Sequence, residues 1–298
     1  MIGASTSYYG YHGESIENKV KKLIDIFTRC EMRPYIQIGA GKNNTKYNEL
    51  VNILNNYRDE NDVIYTIHQS IWLPSDDFYI NIASSNEQVR ESSINCIERN
   101  IEFARDIGVK NISFHGGYAT NILSQKQEFA PLDSQDSISY EEAYSNSIYS
   151  LNRLIDIADG DVKLSIENFN FRPERRYLFS RVEDFDKIPD KIGVIMNIGH
   201  LYYTKMRLKQ DDYITGMINA LTDKVNEIHI NDNDGSEDLH KLVGKGDIPI
   251  KEILSQIKEK IDLPHLIIEA HKERHGYSDD DLMNNILELR EITRDYIV

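Results

Sequence analysis

The sequence predicts an α/β fold, a (β/α)8 TIM barrel, on three observations. Short apolar runs alternate with longer stretches of helical period along almost the whole chain, the pattern of repeated βα units that carry a parallel sheet. The apolar runs number eight, which is the count that closes such a barrel. The 298 residues accommodate the roughly 250 of a barrel together with insertions. In order, the expected strands are Met1–Ala4, Tyr35–Ile38, Val63–His68, Asn111–His115, Lys163–Glu167, Gly193–Asn197, Glu227–Ile230 and Pro264–Glu269. Between them, Ile16–Arg29, Asn86–Ile107, Tyr140–Ala158 and Ile250–Ile261 set apolar residues at three- and four-residue steps, enough to cover the outside of a barrel. Ser84–Asn86 ahead of Glu87, and Ser139 ahead of Glu141, are the expected starts of two of these helices.

No Pro/Gly/Ser-rich linker, low-complexity tract or short-period repeat divides the chain, so residues 1–298 are expected to form one domain. No apolar run approaches the roughly 20 residues of a membrane span, and the first residues lack the basic and apolar regions of a secretory signal. A soluble, cytoplasmic protein with no membrane partner is expected. Cys30 and Cys96 lie far apart without metal-type spacing and read as reduced structural thiols. Thirty-four basic against 49 acidic residues give a formal charge of −15. That field repels a polyanion, so a nucleic-acid partner would need a local basic face. Carboxylates bound to metal would carry no outward field.

The strand ends differ in kind from the strand bodies. From the third to the eighth, they finish in His68, His115, Glu167, Asn197, His229 and Glu269. In a (β/α)8 barrel the carboxyl ends of the strands converge on one face, where the active sites of this fold sit. A single histidine at a strand end is more often a satisfied core or surface residue than a ligand, and a single glutamate there can simply cap a helix. Six polar endings in succession argue for a shared site. Imidazole and carboxylate suit zinc (Zn2+), manganese (Mn2+), Fe2+ or Co2+, and facing buried carboxylates need a cation to offset their repulsion. Glu167, His229 and Glu269, with the Asn197 amide oxygen as a weak fourth ligand, form one expected set. His200, three residues past Asn197, and the Asp-x-His pair Asp238 and His240 form a second, and His68 and His115 complete nine candidate ligands. Nine suit two or three ions that share bridging carboxylates, or one ion with extra histidines on substrate hydroxyls.

The run His229–His240 (HINDNDGSEDLH), followed by Leu242–Ile248 (LVGKGDI), resembles the seventh-strand signature of the xylose isomerase-like TIM-barrel superfamily, especially its sugar phosphate isomerase/epimerase members. Ser165–Asn168 (SIEN) and Asn197–His200 (NIGH) resemble the fifth- and sixth-strand motifs of that group. Ile2–Ser5 (IGAS), His68 with Tyr79–Ile94, and Phe114–Gly117 (FHGG) resemble the amino-terminal half of endonuclease IV, the apurinic-site nuclease (AP endonuclease family 2) of the same superfamily. The resemblance covers nearly the whole chain. It implies a first metal at His68, His115 and Glu167, a second at Glu167, Asn197, His229 and Glu269, and a third at His200, Asp238 and His240. The second set is also where the resemblance to ketose epimerases implies a single metal. Both groups usually carry Asp where this chain has Asn197, so the second site is expected to be weaker or to take a different ion.

Two activities follow from the resemblance. An isomerase or epimerase would hold a sugar carbonyl and hydroxyl on the metal, stabilise an enediolate, and use Glu167 and Glu269 as the acid/base pair, with His200 and His115 orienting hydroxyls. Arg172, Arg175 and Arg176, or Lys241 and Lys245 around the Gly244/Gly246 turn, would grip a phosphate, unless they are solvated loop charges. A zinc phosphodiesterase would use two or three metal ions on DNA with an abasic site, with Trp72 as a wedge in the base stack; the commoner roles of a lone Trp are packing or stacking on a sugar. Gly39–Asn44 and the segment Leu201–Tyr213 do not match the endonuclease pattern. With the −15 charge, these departures place the small-carbohydrate enzyme first and the nuclease second. A non-catalytic binding protein on the same scaffold is the third reading.

Overall fold

The computed structural model describes residues 1–10, 13–39, 45–75, 78–121, 137–172, 176–261 and 265–294. Eight parallel strands close a barrel in chain order, and the last pairs with the first. They are β1 (Ile2–Ser5), β2 (Tyr35–Ile38), β3 (Ile64–His68), β4 (Asn111–His115), β5 (Lys163–Glu167), β6 (Ile192–Asn197), β7 (Val225–Ile230) and β8 (His265–Ile268). Around them lie α1 (Ile16–Arg29), α2 (Tyr47–Asn61), α3 (Glu87–Asp106), α4 (Tyr140–Ala158), α5 (Ile198–Leu208), α6 (Tyr213–Leu221), α7 (Ile250–Lys258), α8 (Lys272–His275) and α9 (Asp279–Ile292). The expected barrel is the observed one.

Element ends move by one to three residues, for local reasons. Asn86 stands outside α3 in extended backbone, where its side chain accepts the N–H groups of Gln88 and Val89, two of the donors a helix start leaves unpaired. Ser139 does the same for α4 through the N–H of Glu142. Pro264, expected in the last strand, lies outside the described residues.

The strand side chains sort by parity. Ile36, Ile38, Ile67, Ile112, Phe114, Leu164, Ile166, Val194, Met196, Ile228, Ile230, Leu266 and Ile268 all belong to the apolar core shared with the helices. The alternate residues face the barrel axis, because successive side chains on a strand point to opposite faces. On this inner face Tyr35 and Gln37 of β2 reach Glu227 of β7 directly across the barrel. The apolar core is therefore an annulus between sheet and helices, and the barrel's lumen is polar toward its mouth. Cys30 and Cys96 are buried free thiols, and burial pushes the Cys96 thiol up to about 11, as expected of inert structural cysteines. Among the described residues, no helix is long and apolar enough to cross a membrane.

Replacing Asn86 by Ala should cost ~1 kcal/mol through the lost cap. Thermal unfolding should report this as a fall of roughly 2 to 4 °C, while Glu87→Ala at the neighbouring exposed position changes little.

Candidate active site

Register brings the polar strand ends to one level: His115 pairs with Glu167 across β4 and β5, and Asn197 with His229 across β6 and β7. Candidate ligand atoms gather there within 4.8 Å of one another in three groups: His68, His115 and Glu167; His68, His229 and Glu269; His200, Asp238 and His240. All of the expected histidine and carboxylate ligands meet at the mouth.

In the first group one oxygen, Glu167 Oε2, lies 3.2 Å from His68 Nε2 and 3.3 Å from His115 Nε2. The far nitrogens are held from behind. His68 Nδ1 is 2.9 Å from the Ser113 hydroxyl, which itself donates to the Ile67 carbonyl and so accepts the ring N–H. His115 Nδ1 is 2.7 Å from the Tyr118 hydroxyl.

The His200, Asp238 and His240 group is the most sharply defined. His200 sits in the first turn of α5, where its Nδ1–H donates to the Asn168 carbonyl at 2.8 Å. His240 takes left-handed backbone (φ 49°) and donates Nδ1–H to the Glu269 carbonyl at 2.9 Å. A carbonyl oxygen can only accept, so both rings turn their Nε2 lone pairs to Asp238 Oδ2, at 3.2 and 3.3 Å. Asn170 donates to the same oxygen at 2.8 Å, while Asp238 Oδ1 is buried with no hydrogen-bond partner among the described residues. A proton or a cation must lie between such lone pairs and the carboxylate. The donor set and the orphaned oxygen fit a divalent metal.

Between these groups lie Glu167 and Glu269, both almost fully buried. His229 Nδ1 approaches Glu167 Oε1 at 3.1 Å and Glu269 Oε2 at 3.4 Å. Burial pushes both carboxyls upward, but His68 and His229 hold Glu167 well below its usual value, and His229 and His240 hold Glu269 at about 2. Burial lowers His229, and Glu269 and Glu167 outweigh it, so the imidazole sits well above its ordinary value. Against burial, Asp238 holds His240 at about 10.

One sequence expectation needs correction. The Asn197 amide oxygen, expected as a weak ligand, faces away from the carboxylates: it caps α5 by accepting His200 N–H and also accepts from Asn231. The amide nitrogen faces the site instead, donating to Glu167 Oε1 at 2.8 Å and Glu269 Oε2 at 3.0 Å. The Trp72 ring packs against Tyr47 of α2 and Phe103 of α3, with the Arg99 guanidinium 5.1 Å away. Lys241 turns toward Asp234 at 3.9 Å and pairs its backbone with Asp232, and Lys245 is exposed on the glycine turn. Arg172 lies over Tyr203 and donates to Asn170 Oδ1, which links it to the site through Asn170. Arg176 is exposed and donates to the Ile138 carbonyl, and Arg175 lies outside the described residues.

Several residues of the site were not read from the sequence. Glu227 is buried one layer below His229, 3.3 Å from its Nε2, and accepts from Tyr35 OH and Gln37 Nε2 at 2.8 Å each. Phe169 packs 4.2 Å from the His115 ring and 5.2 Å from Tyr118, giving the first group an aromatic wall. Asp232 organises the Gly244–Gly246 turn by accepting the N–H groups of Gly244 and Ile248; a Cβ at Gly246 would lie 2.4 Å from its Oδ1. The period-two alternation of β2 and β7 was the available signal for Gln37 and Glu227; the turn around Asp232 left none.

With this geometry in view, the chain belongs to the xylose isomerase-like TIM barrel family, whose sequence profile matches residues 46–294. It is 28% identical to an uncharacterised protein of Methanocaldococcus jannaschii, over 92% of this chain and 94% of that one. It is 24% identical to a probable endonuclease 4 of Campylobacter curvus, over 60% of this chain and 62% of that one. A crystal structure of a D-tagatose 3-epimerase-like protein shares the fold, with a TM-score of 0.70, 22% identity and 97% coverage of each chain.

Trp72→Ala should lower stability by roughly 3 kcal/mol, as loss of a packed aromatic does, while leaving the number of metal ions bound unchanged. Metal entering the His200–Asp238–His240 group must displace a proton from His240, which is charged at pH 7 in the metal-free protein. Calorimetry in buffers of different ionisation enthalpy should therefore show about one proton released per ion at this group, and affinity falling as the pH is lowered.

Proposed function

We propose that the chain is a divalent-metal-dependent enzyme that acts on a small carbohydrate by proton transfer, a sugar or sugar phosphate isomerase or epimerase, with residues 1–298 working as one barrel domain. The observation that carries this reading is the pair Glu167 and Glu269, buried, ionised and linked through His229 and Asn197 at one mouth. Two such carboxylates allow one to take a proton from the carbon beside a carbonyl and the other to return one. Bound in the His68–His115–Glu167 or His200–Asp238–His240 group, a divalent ion would supply the Lewis acidity that polarises a carbonyl oxygen. The aromatic wall of Phe169 and Tyr118 beside His115 suits the C–H face of a sugar. The shared fold with a D-tagatose 3-epimerase-like protein supports the same class.

A phosphodiesterase acting on abasic-site DNA is favoured by one observation, the complete His200–Asp238–His240 group, which gives the site the ligands of a second ion. The similarity to a probable endonuclease 4 supports it. Against it, basic side chains around the mouth are engaged: Lys241 faces Asp234, and Arg274 donates to the Asp238 carbonyl and reaches Glu237. The net charge of −15 also opposes a polyanion.

Incubation of the metal-loaded protein with ketoses, aldoses and their phosphates in D2O should give deuterium incorporation beside the carbonyl, measured by NMR. Glu269→Gln should slow it by ~10²-fold or more. Incision of an abasic duplex by the wild type, lost in Glu269→Gln, with no sugar exchange, would assign the phosphodiesterase instead.

A further inference from the structure

We propose that the middle of this centre, between Glu167 and Glu269, is closed to metal, and that divalent ions occupy only the flanking groups His68–His115–Glu167 and His200–Asp238–His240. This rests on reading the site as a metal centre, which both chemistries above share.

The argument is one of hydrogen-bond direction. A nitrogen ligand must offer a lone pair, and the partner of an imidazole's other nitrogen decides which of the two carries the proton. In the flanking groups the partners of three of the four histidines accept: Asn168 O for His200, Glu269 O for His240, and the Ser113 hydroxyl for His68, while the Tyr118 hydroxyl behind His115, which accepts from Tyr79 OH, can rotate to either role. The Nε2 lone pairs of those three therefore face the carboxylates. His229 is arranged the other way. Its Nε2 lies 2.7 Å from Gln37 Nε2, an amide donor, and 3.3 Å from Glu227 Oε1; the nearer amide hydrogen claims the Nε2 lone pair of a neutral ring and a charged ring carries both protons, so in either form Nδ1 keeps its proton toward Glu167 and Glu269. The Gln37 amide cannot reverse, because its oxygen would then stand 2.8 Å from Glu227 Oε1, oxygen against oxygen.

Asn197 closes the same space from the other side. Its amide nitrogen donates to both carboxylates, and its orientation is fixed by the backbone N–H of His200, which requires the oxygen on the far side. Three N–H donors thus occupy the oxygens a cation would need, and neither His229 nor Asn197 turns a lone pair toward them. The His68–His229–Glu269 grouping is closed by the same Nδ1 proton. Glu269 is left without an ion, which suits a residue that must take up and release a proton.

Zinc stoichiometry and anomalous diffraction from crystals of the zinc-saturated protein test this directly. The wild type is expected to hold about two ions, one in each flanking group, with no peak between Glu167 and Glu269. Asp238→Asn should lose one of them. In Asn197→Asp the carboxylate still caps α5 by accepting His200 N–H but no longer donates to Glu167 and Glu269, so about one further ion should appear between them. A wild-type ion bonded to His229 and Glu269 would overturn the inference and leave the metal centre standing, as would a folded Asn197→Asp protein that gains no ion. Absence of zinc from all three groups would overturn the metal centre itself. The wild-type map decides the matter even if a variant fails to fold.

Discussion

The structure of the mouth depends on the two oxygens of Glu167. One meets His68 and His115, the other His229 and Asn197, so this single carboxylate joins β3, β4, β6 and β7 around the end of β5. Burying a carboxylate costs several kcal/mol unless donors or cations meet it; here Oε1 is met by the Asn197 and His229 N–H groups, and Oε2 faces the His68 and His115 nitrogens, where a shared proton or a cation meets it. The surrounding polar groups are positioned to satisfy this charge, and through it one another.

A second layer of charge lies beneath and beside the ligands. Glu227 holds Gln37 and Tyr35 under His229, and Asp232 gathers the backbone of the Gly244–Gly246 turn, so neither needs metal to be satisfied. Glu167, Glu227, Asp232 and Glu269 are all buried in the barrel end, so part of the −15 charge faces the site and not the solvent. Asp238 differs from Glu227 and Asp232 in keeping one buried oxygen without a hydrogen-bond partner among the described residues, which suits a ligand-binding acid.

The candidate site was legible where ligand chemistry coincides with strand ends. His68, His115, Glu167, His229 and Glu269 could be read because strand order alone places their termini on one face, and His200, Asp238 and His240 because they follow in the adjoining loops. The directions of Trp72, Lys241 and Lys245 were not legible in the sequence, because a loop residue's direction depends on what packs around it. Trp72 finds α2 and α3, and Lys241 is drawn to Asp234. Glu227 and Gln37 were passed over because a polar residue inside a strand gains its meaning from the strand opposite, which sequence order does not name.

The sequence by itself determined the eight strands, their parallel order and the chemical types that converge at the mouth, because strand periodicity and barrel closure follow from local pattern. Tertiary structure alone decided which atoms those side chains present. Whether Asn197 offers oxygen or nitrogen, and whether a histidine offers a lone pair or a proton, depends on the partner behind it. For Asn197 that partner is the first turn of α5, for His200 and His240 a carbonyl oxygen, and for His229 an amide across the barrel.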